Sequence, residues 1–328
     1  MMKNCGVKIL RSLLPLALAL VCEVAAGQVD AQLTHYWATP AYYNAAALGE
    51  TDFIHITAGS RLQWLGVKRA PMSFFGMADM PFKFLNKRWG VGVVLQQETM
   101  GLYSTINAGA QLAWKKKLFK GMLSVGLRVG FLNETFKGTK IEIPEDDDAH
   151  TSADDAIPNT DVSGTALDLS AGVFYSHKWF WVGASVNHIT EPKVTMKANQ
   201  ESEDEYEFEA GRMYYFMAGS NIPIKNTLFE IQPSVFVKSD FKFFQAEATL
   251  RMRYNKFITA GVGYRWNDAV MAMIGVEFKN FYIGYAYDYP LSKIVKATKG
   301  SHELLLQYNV KLDMKGRNKN KQKSIRIM

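Results

Sequence analysis

Beyond residue 27 this chain has no cysteine; its two, Cys5 and Cys22, both stand before that point. A disulfide framework and a thiolate metal site are therefore excluded for everything downstream. After the N-terminus there is also no stretch of about 18 or more apolar residues, so no transmembrane helix is written. His35, His55, His150, His177 and His188 fall at no metal-ligand spacing. No glycine-rich phosphate loop follows a strand and opens a helix. Two acidic runs, 142–161 and 201–209, lack the EF-hand pattern, and weak ion binding or simple solvation is their expected role. No cofactor and no metal are expected.

The N-terminus reads as a secretory signal. Lys3, Lys8 and Arg11 are the positive region, 13–21 the apolar region, and Ala25-Ala26-Gly27 the small residues before cleavage at Gln28. The alternative is a first helix of the domain itself. A lipoprotein reading on Cys22 is opposed by the bulky Val21 before it. The net charge of +7 is unevenly placed: the tail 311–328 carries seven Lys or Arg against Asp313 alone. In an exported chain such a tail reads as a solvated segment rather than a nucleic-acid contact.

What is abundant is alternation. From Lys256 to Trp266 every second residue is apolar: Ile258, Ala260, Val262, Tyr264 and Trp266. The same dyad period recurs in fourteen segments: 53–64, 70–80, 89–98, 103–115, 118–134, 163–176, 179–188, 211–221, 227–238, 242–254, 256–266, 269–278, 280–290 and 301–312. In 118–134, Leu123, Val125, Leu127, Val129 and Phe131 oppose Ser124, Gly126, Arg128 and Gly130. A soluble β-sandwich alternates too. Against it stand the strand number, the aromatic ends of the apolar face (Trp64, Trp114, Tyr254, Trp266) and the charges at mid-strand on the other face. These fit an interfacial girdle and a polar lumen. The expected fold is all-β, a transmembrane antiparallel β-barrel of about fourteen strands over 53–312. A signal peptide 1–27 and a periplasmic segment 28–52 precede it, and a basic periplasmic tail 313–328 follows.

The connections agree with this. With both termini periplasmic, the acidic stretches 135–162 and 189–210 fall outside. The turns at Lys83–Arg88, Lys115–Lys117, His177-Lys178, Asn255-Lys256 and Lys279-Asn280 fall inside. Long loops outside and short turns inside is the outer-membrane pattern.

The lumenal face carries Arg61, Arg128, Asp168, Glu247, Arg251, Arg253, Arg265, Glu277 and Glu303. An enzyme would pair some of these carboxylates for acid–base work. The simpler reading is a salt-bridged, filled interior, because buried charges need partners. The run Ser301-His302-Glu303 invites a lipase triad, but neighbours on a strand point to opposite faces. No catalytic residue is expected.

Several motifs resemble the PorP/SprF family. They are the stretch Gln28–Trp37 followed by Thr39-Pro40-Ala41-Tyr42-Tyr43-Asn44; Arg61-Leu62-Gln63-Trp64-Leu65-Gly66 followed by Ala70-Pro71-Met72-Ser73-Phe74; Gly90-Val91-Gly92; and Gly300-Ser301-His302-Glu303-Leu304. Where the family reads Asn-Pro-Ala, this chain has Asn44-Ala45-Ala46. The resemblance implies a non-enzymatic outer-membrane component of the type IX secretion system of Bacteroidota. It implies partners among the periplasmic ring proteins PorK and PorN, the peptidoglycan-binding PorE, or one secreted adhesin, as SprF serves SprB in gliding motility. The competing expectation is a transport barrel for hydrophobic or small polar solutes.

Overall fold

The computed structural model describes residues 30–141, 158, 160–198 and 205–312. The expected signal, the basic tail, most of the first acidic run and residues 201–204 of the second lie outside the described residues. Seventeen strands occur among them: β1 (Phe53–Leu62), β2 (Met72–Phe84), β3 (Lys87–Met100), β4 (Tyr103–Leu118), β5 (Gly121–Lys137), β6 (Asp161–Ser176), β7 (Phe180–Asn187), β8 (Lys193–Met196), β9 (Tyr206–Glu209), β10 (Met213–Ser220), β11 (Ile222–Pro223), β12 (Phe229–Ser239), β13 (Phe244–Tyr254), β14 (Ile258–Arg265), β15 (Ala269–Phe278), β16 (Phe281–Pro290) and β17 (Ser301–Lys311).

Fourteen of these form one closed antiparallel barrel. Each strand pairs with its neighbours in the chain, β10 pairs with β12 across the short β11, and β1 pairs with β17 to shut the ring. Each of the fourteen alternating segments supplies one wall strand. The period of two sets the faces: Val125, Leu127, Val129 and Phe131 of β5 are exposed outward, while Ser124, Gly126 and Arg128 are buried inward. Closure leaves no edge, so the backbone is satisfied within the wall, as a lipid environment requires. No helix among the described residues is long and apolar enough to cross a membrane.

The two ends of the barrel differ. One end carries the chain's entry at Phe53, its exit at Lys311 and the tight turns. At Leu85-Asn86, Phe119-Lys120 and Asn255-Lys256, both turn residues have positive φ, the hairpin geometry that matches strand twist. The strands here run longer than expected. Lys115–Lys117, read as a turn, belong to β4, and the Lys115 side chain is buried inside against Glu50. At the other end, the connection between β7 and β10 folds into the β8–β9 hairpin. Its Val194 and Met196 pack with Leu132 and Val162 of the inner wall. Ser163 and Lys197 exchange backbone hydrogen bonds at 3.1 Å each way, so this hairpin covers the mouth above β5 and β6.

Candidate functional site

The lumen is occupied by the chain's own N-terminal segment. Residues 30–48, expected to lie in the periplasm, instead run inside the barrel, and almost all are buried. The reason is compositional: after Asp30 this stretch carries no carboxylate, lysine or arginine until Glu50, yet it holds Leu33, Tyr36, Trp37, Tyr42 and Tyr43. Solvating it would expose aromatic surface worth about 1.5–3 kcal/mol per large side chain. Within the barrel, Tyr36, Tyr43 and Tyr215 gather round Phe236, with ring centres 4.7–5.8 Å from it.

Lumenal charge receives the plug's backbone. Glu303 accepts from Thr34 N at 2.6 Å, His35 N at 2.8 Å and His35 Nδ1 at 2.7 Å. Arg61 donates to Thr34 Oγ1 at 3.0 Å, to Glu303 at 3.2 Å and to Asp288 at 2.7 Å. Arg265 donates to Glu247 at 2.8 Å and to Asp288 at 3.1 Å, and Gln32 donates to Glu247 at 3.1 Å. A second group surrounds Asp30: Tyr215 donates to it, and His188 lies 3.4 Å from it and 3.0 Å from Asp168. Arg128 reaches Asp168 at 3.5 Å and also donates to Asn107. Both groups sit in the half of the lumen nearer the long loops.

From there the plug descends through a helical turn, α1 (Pro40–Tyr43), and a 3-10 turn, Ala45–Ala47. Asn44 is extended, and its Oδ1 accepts from Ala46 N at 2.9 Å, so a side chain holds the turn. The Asn44 amide donates to the carbonyls of Val173 (2.9 Å) and Ala184 (3.2 Å) in the wall. Glycines make room for this approach. A Cβ on Gly126 would stand 2.2 Å from Ala46 N, and one on Gly90 2.5 Å from Leu48 O. At the exit, Arg88 donates to the carbonyls of Gly49, Glu50 and Thr51 and pairs with Asp52 at 2.7 Å.

The chain matches the family described as type IX secretion system membrane protein PorP/SprF over residues 25–308. It belongs to that family. No curated protein matches it. Among solved structures it is similar to the toluene transporter TbuX of Ralstonia pickettii, at 11% identity and a TM-score of 0.46, covering 82% of this chain and 92% of that one. It is also similar to the toluene transporter TodX of Pseudomonas putida, at 10% identity and a TM-score of 0.47, covering 87% and 96%. A third is the translocator domain of the autotransporter NalP from Neisseria meningitidis, at 12% identity and a TM-score of 0.44, covering 87% and 99%.

In this PorP/SprF barrel the stretches 61–66 and 300–304 meet where the ring closes. Trp64 N donates to Ser301 Oγ at 3.1 Å, Leu65 N to Gly300 O at 2.8 Å, and Lys299 N to Leu65 O at 2.8 Å. Gln63 N donates to Pro71 O at 2.9 Å, and Ser73 Oγ lies 3.3 Å from Glu98. Gly66 and Gly300 have φ of 99° and 90°, a region closed to most side chains. Ser301 and Glu303 are buried inside, whereas His302 points outward and meets the Tyr285 hydroxyl at 2.7 Å. The three therefore share no site.

Of the other lumenal charges, Arg253 and Glu277 pair with each other near the short-turn mouth, away from the Arg61 and Arg128 groups. Sequence reasoning missed Asp30, Thr34, His35, Asn44, His188 and Asp288. The available signal was glycine at inward positions of strands, which marks close approach of another backbone.

Proposed function

We propose that this outer-membrane barrel is a non-enzymatic scaffold of the type IX secretion system, not a conduit. It anchors periplasmic components, the PorK/PorN ring or PorE, or serves one secreted adhesin. The observation that carries the reading is the plug: Leu33, Tyr36, Ala46 and Leu48 have no exposed surface, and the segment is tied to both halves of the wall. A lumen filled by buried ion pairs and aromatic rings leaves the outer faces and rims for interaction.

The short-turn end faces the periplasm in this proposal. Exposed lysines crowd it: Lys83, Lys87, Lys116, Lys117, Lys120, Lys178, Lys225, Lys256 and Lys279. A basic rim attracts an acidic partner over about one Debye length, and salt weakens the attraction. The tail 313–328 adds charge of the same sign.

Two measurements test this. In planar bilayers the intact protein gives no steady conductance; stable open channels would favour a transport barrel. Deleting 315–328 reduces co-purification of the periplasmic ring, and unchanged recovery would remove the tail from the argument. A deletion strain then separates the roles: loss of all type IX cargo marks a core component, loss of one cargo a dedicated partner.

A further inference from the structure

Arg61, Arg88, Arg128, Arg253 and Arg265 each face a carboxylate. Arg251 does not. It projects from β13 into the lumen and is only 3% exposed. It donates to Ser234 Oγ at 3.3 Å, and its guanidinium lies 3.7 Å from the ring centre of Trp37. Its Nε has no hydrogen-bond partner among the described residues, and neither has the indole Nε1 of Trp37. A buried guanidinium left without a carboxylate is costly, and a buried donor left unmade adds to that cost.

Both residues line an open cavity of about 260 Å³ at the short-turn end. Opposite them stand Arg253 and Glu277, already paired, with Glu230 3.8 Å from Arg253. His55, Gln307 and Asn309 also line it, with Asn309 Oδ1 2.6 Å and Gln307 Nε2 3.2 Å from His55 Nδ1. Glu230 and Glu277 both lie on Arg253, so among the described residues Arg251 is the one guanidinium here with no carboxylate partner, and two buried donors, its Nε and the Trp37 Nε1, are unused.

We propose that this pocket receives one carboxylate group of a peptide, bound by the guanidinium of Arg251. A carboxylate supplies the partner that Arg251 lacks and matches the planar fork of a guanidinium. The cavity is smaller than the usual range of about 300–1,000 Å³ for ligand sites, so it accepts the end of a chain or one acidic side chain rather than a larger molecule. Capture of a terminal carboxylate is an established mode of peptide recognition. The donor is a second protein reaching the short-turn mouth, or this chain's own C-terminal segment, which leaves β17 at the same mouth with Leu312 N bonded to Asp52 O at 2.9 Å.

The test uses the full chain in detergent micelles and two probes, N-acetyl-Ala-Ala with a free carboxylate and the same peptide as its C-terminal amide. By isothermal titration calorimetry the carboxylate form binds at least about tenfold more tightly than the amide. Arg251→Gln abolishes the difference. Arg251→Lys keeps the charge, loses the planar fork and weakens only the carboxylate form; it carries the comparison should Arg251→Gln fail to fold. A chain stopped at Leu312 separates the sources. Equal binding to both lengths means the carboxylate comes from another molecule; binding that appears only after truncation means the chain's own end occupies the site. Equal affinity for the two probes in both lengths, or no binding of either at about 10 mM, overturns the proposal. The readout concerns the pocket alone, so it stands or falls separately from the scaffold role.

Discussion

Arg61 and Glu303 are register partners across the junction of β1 and β17, and their side chains pair at 3.2 Å inside the lumen. They stand 242 positions apart in the chain. The same carboxylate also holds the backbone of Thr34 and His35, so one side chain joins the first strand, the last strand and the plug.

Glu303→Gln keeps the size and removes the charge. Losing one partner of a buried ion pair costs about 3–5 kcal/mol. The urea midpoint of the folded barrel in micelles is expected to fall, and the segment 30–48 to become open to protease. An unchanged midpoint with full protection would show that Glu303 does not hold the plug.

Gly126→Ala places a methyl against the backbone of Ala45 and Ala46, with no flexible side chain to yield. Overpacking of this kind costs about 1–3 kcal/mol. Gly76→Ala is the control, because nothing lies within 4 Å of its added Cβ; it should stay within about 0.5 kcal/mol of the parent. Equal effects at the two sites would contradict the placement of the plug.

Asn44→Ala removes the acceptor for Ala46 N and the donor to two wall carbonyls. Each buried group left unpaired costs about 1–3 kcal/mol. Hydrogen exchange at Ala46 should quicken strongly, while exchange on the outer face of β13 is unaffected; uniform behaviour would mean the side chain does not fix the turn.

Leu127 and Arg128 are neighbours facing different surroundings, Leu127 being 59% exposed and Arg128 buried in the lumen. Leu127→Arg puts a charge on the outer face at mid-strand, at a cost of about 2–4 kcal/mol in a bilayer. Refolding yield into lipid vesicles should drop, and an undiminished yield would mean that this face does not meet lipid.

The wall was readable because a strand's period of two is local and independent of its partners. Val125 against Ser124, or Tyr264 against Arg265, needs no knowledge of the rest of the chain. The plug was not readable that way: Gln32–Asn44 has no period, and its conformation is set by Glu303, Ser185 and Gly126, which lie 82 or more positions later in the sequence (126 against 44). Two clues stood in the open. The stretch was too apolar to be a solvated linker, and inward glycines at 90, 92, 126 and 172 left space where a strand would normally pack side chains. Pairing of the Arg61 and Gly300 motifs needed closure of the ring, which no local pattern reveals.

The plug's hold on Glu303 has a consequence for assembly. An empty ring would surround Arg61, Arg265, Asp288 and Glu303 with no backbone to receive them, a poor state to reach in a membrane. The carboxylate that takes Thr34 belongs to the final strand, so cylinder closure and cargo-like capture of the leading segment become one event. A nascent sheet must therefore curl around its own beginning, and a chain whose beginning is missing should stall as an open, aggregation-prone sheet.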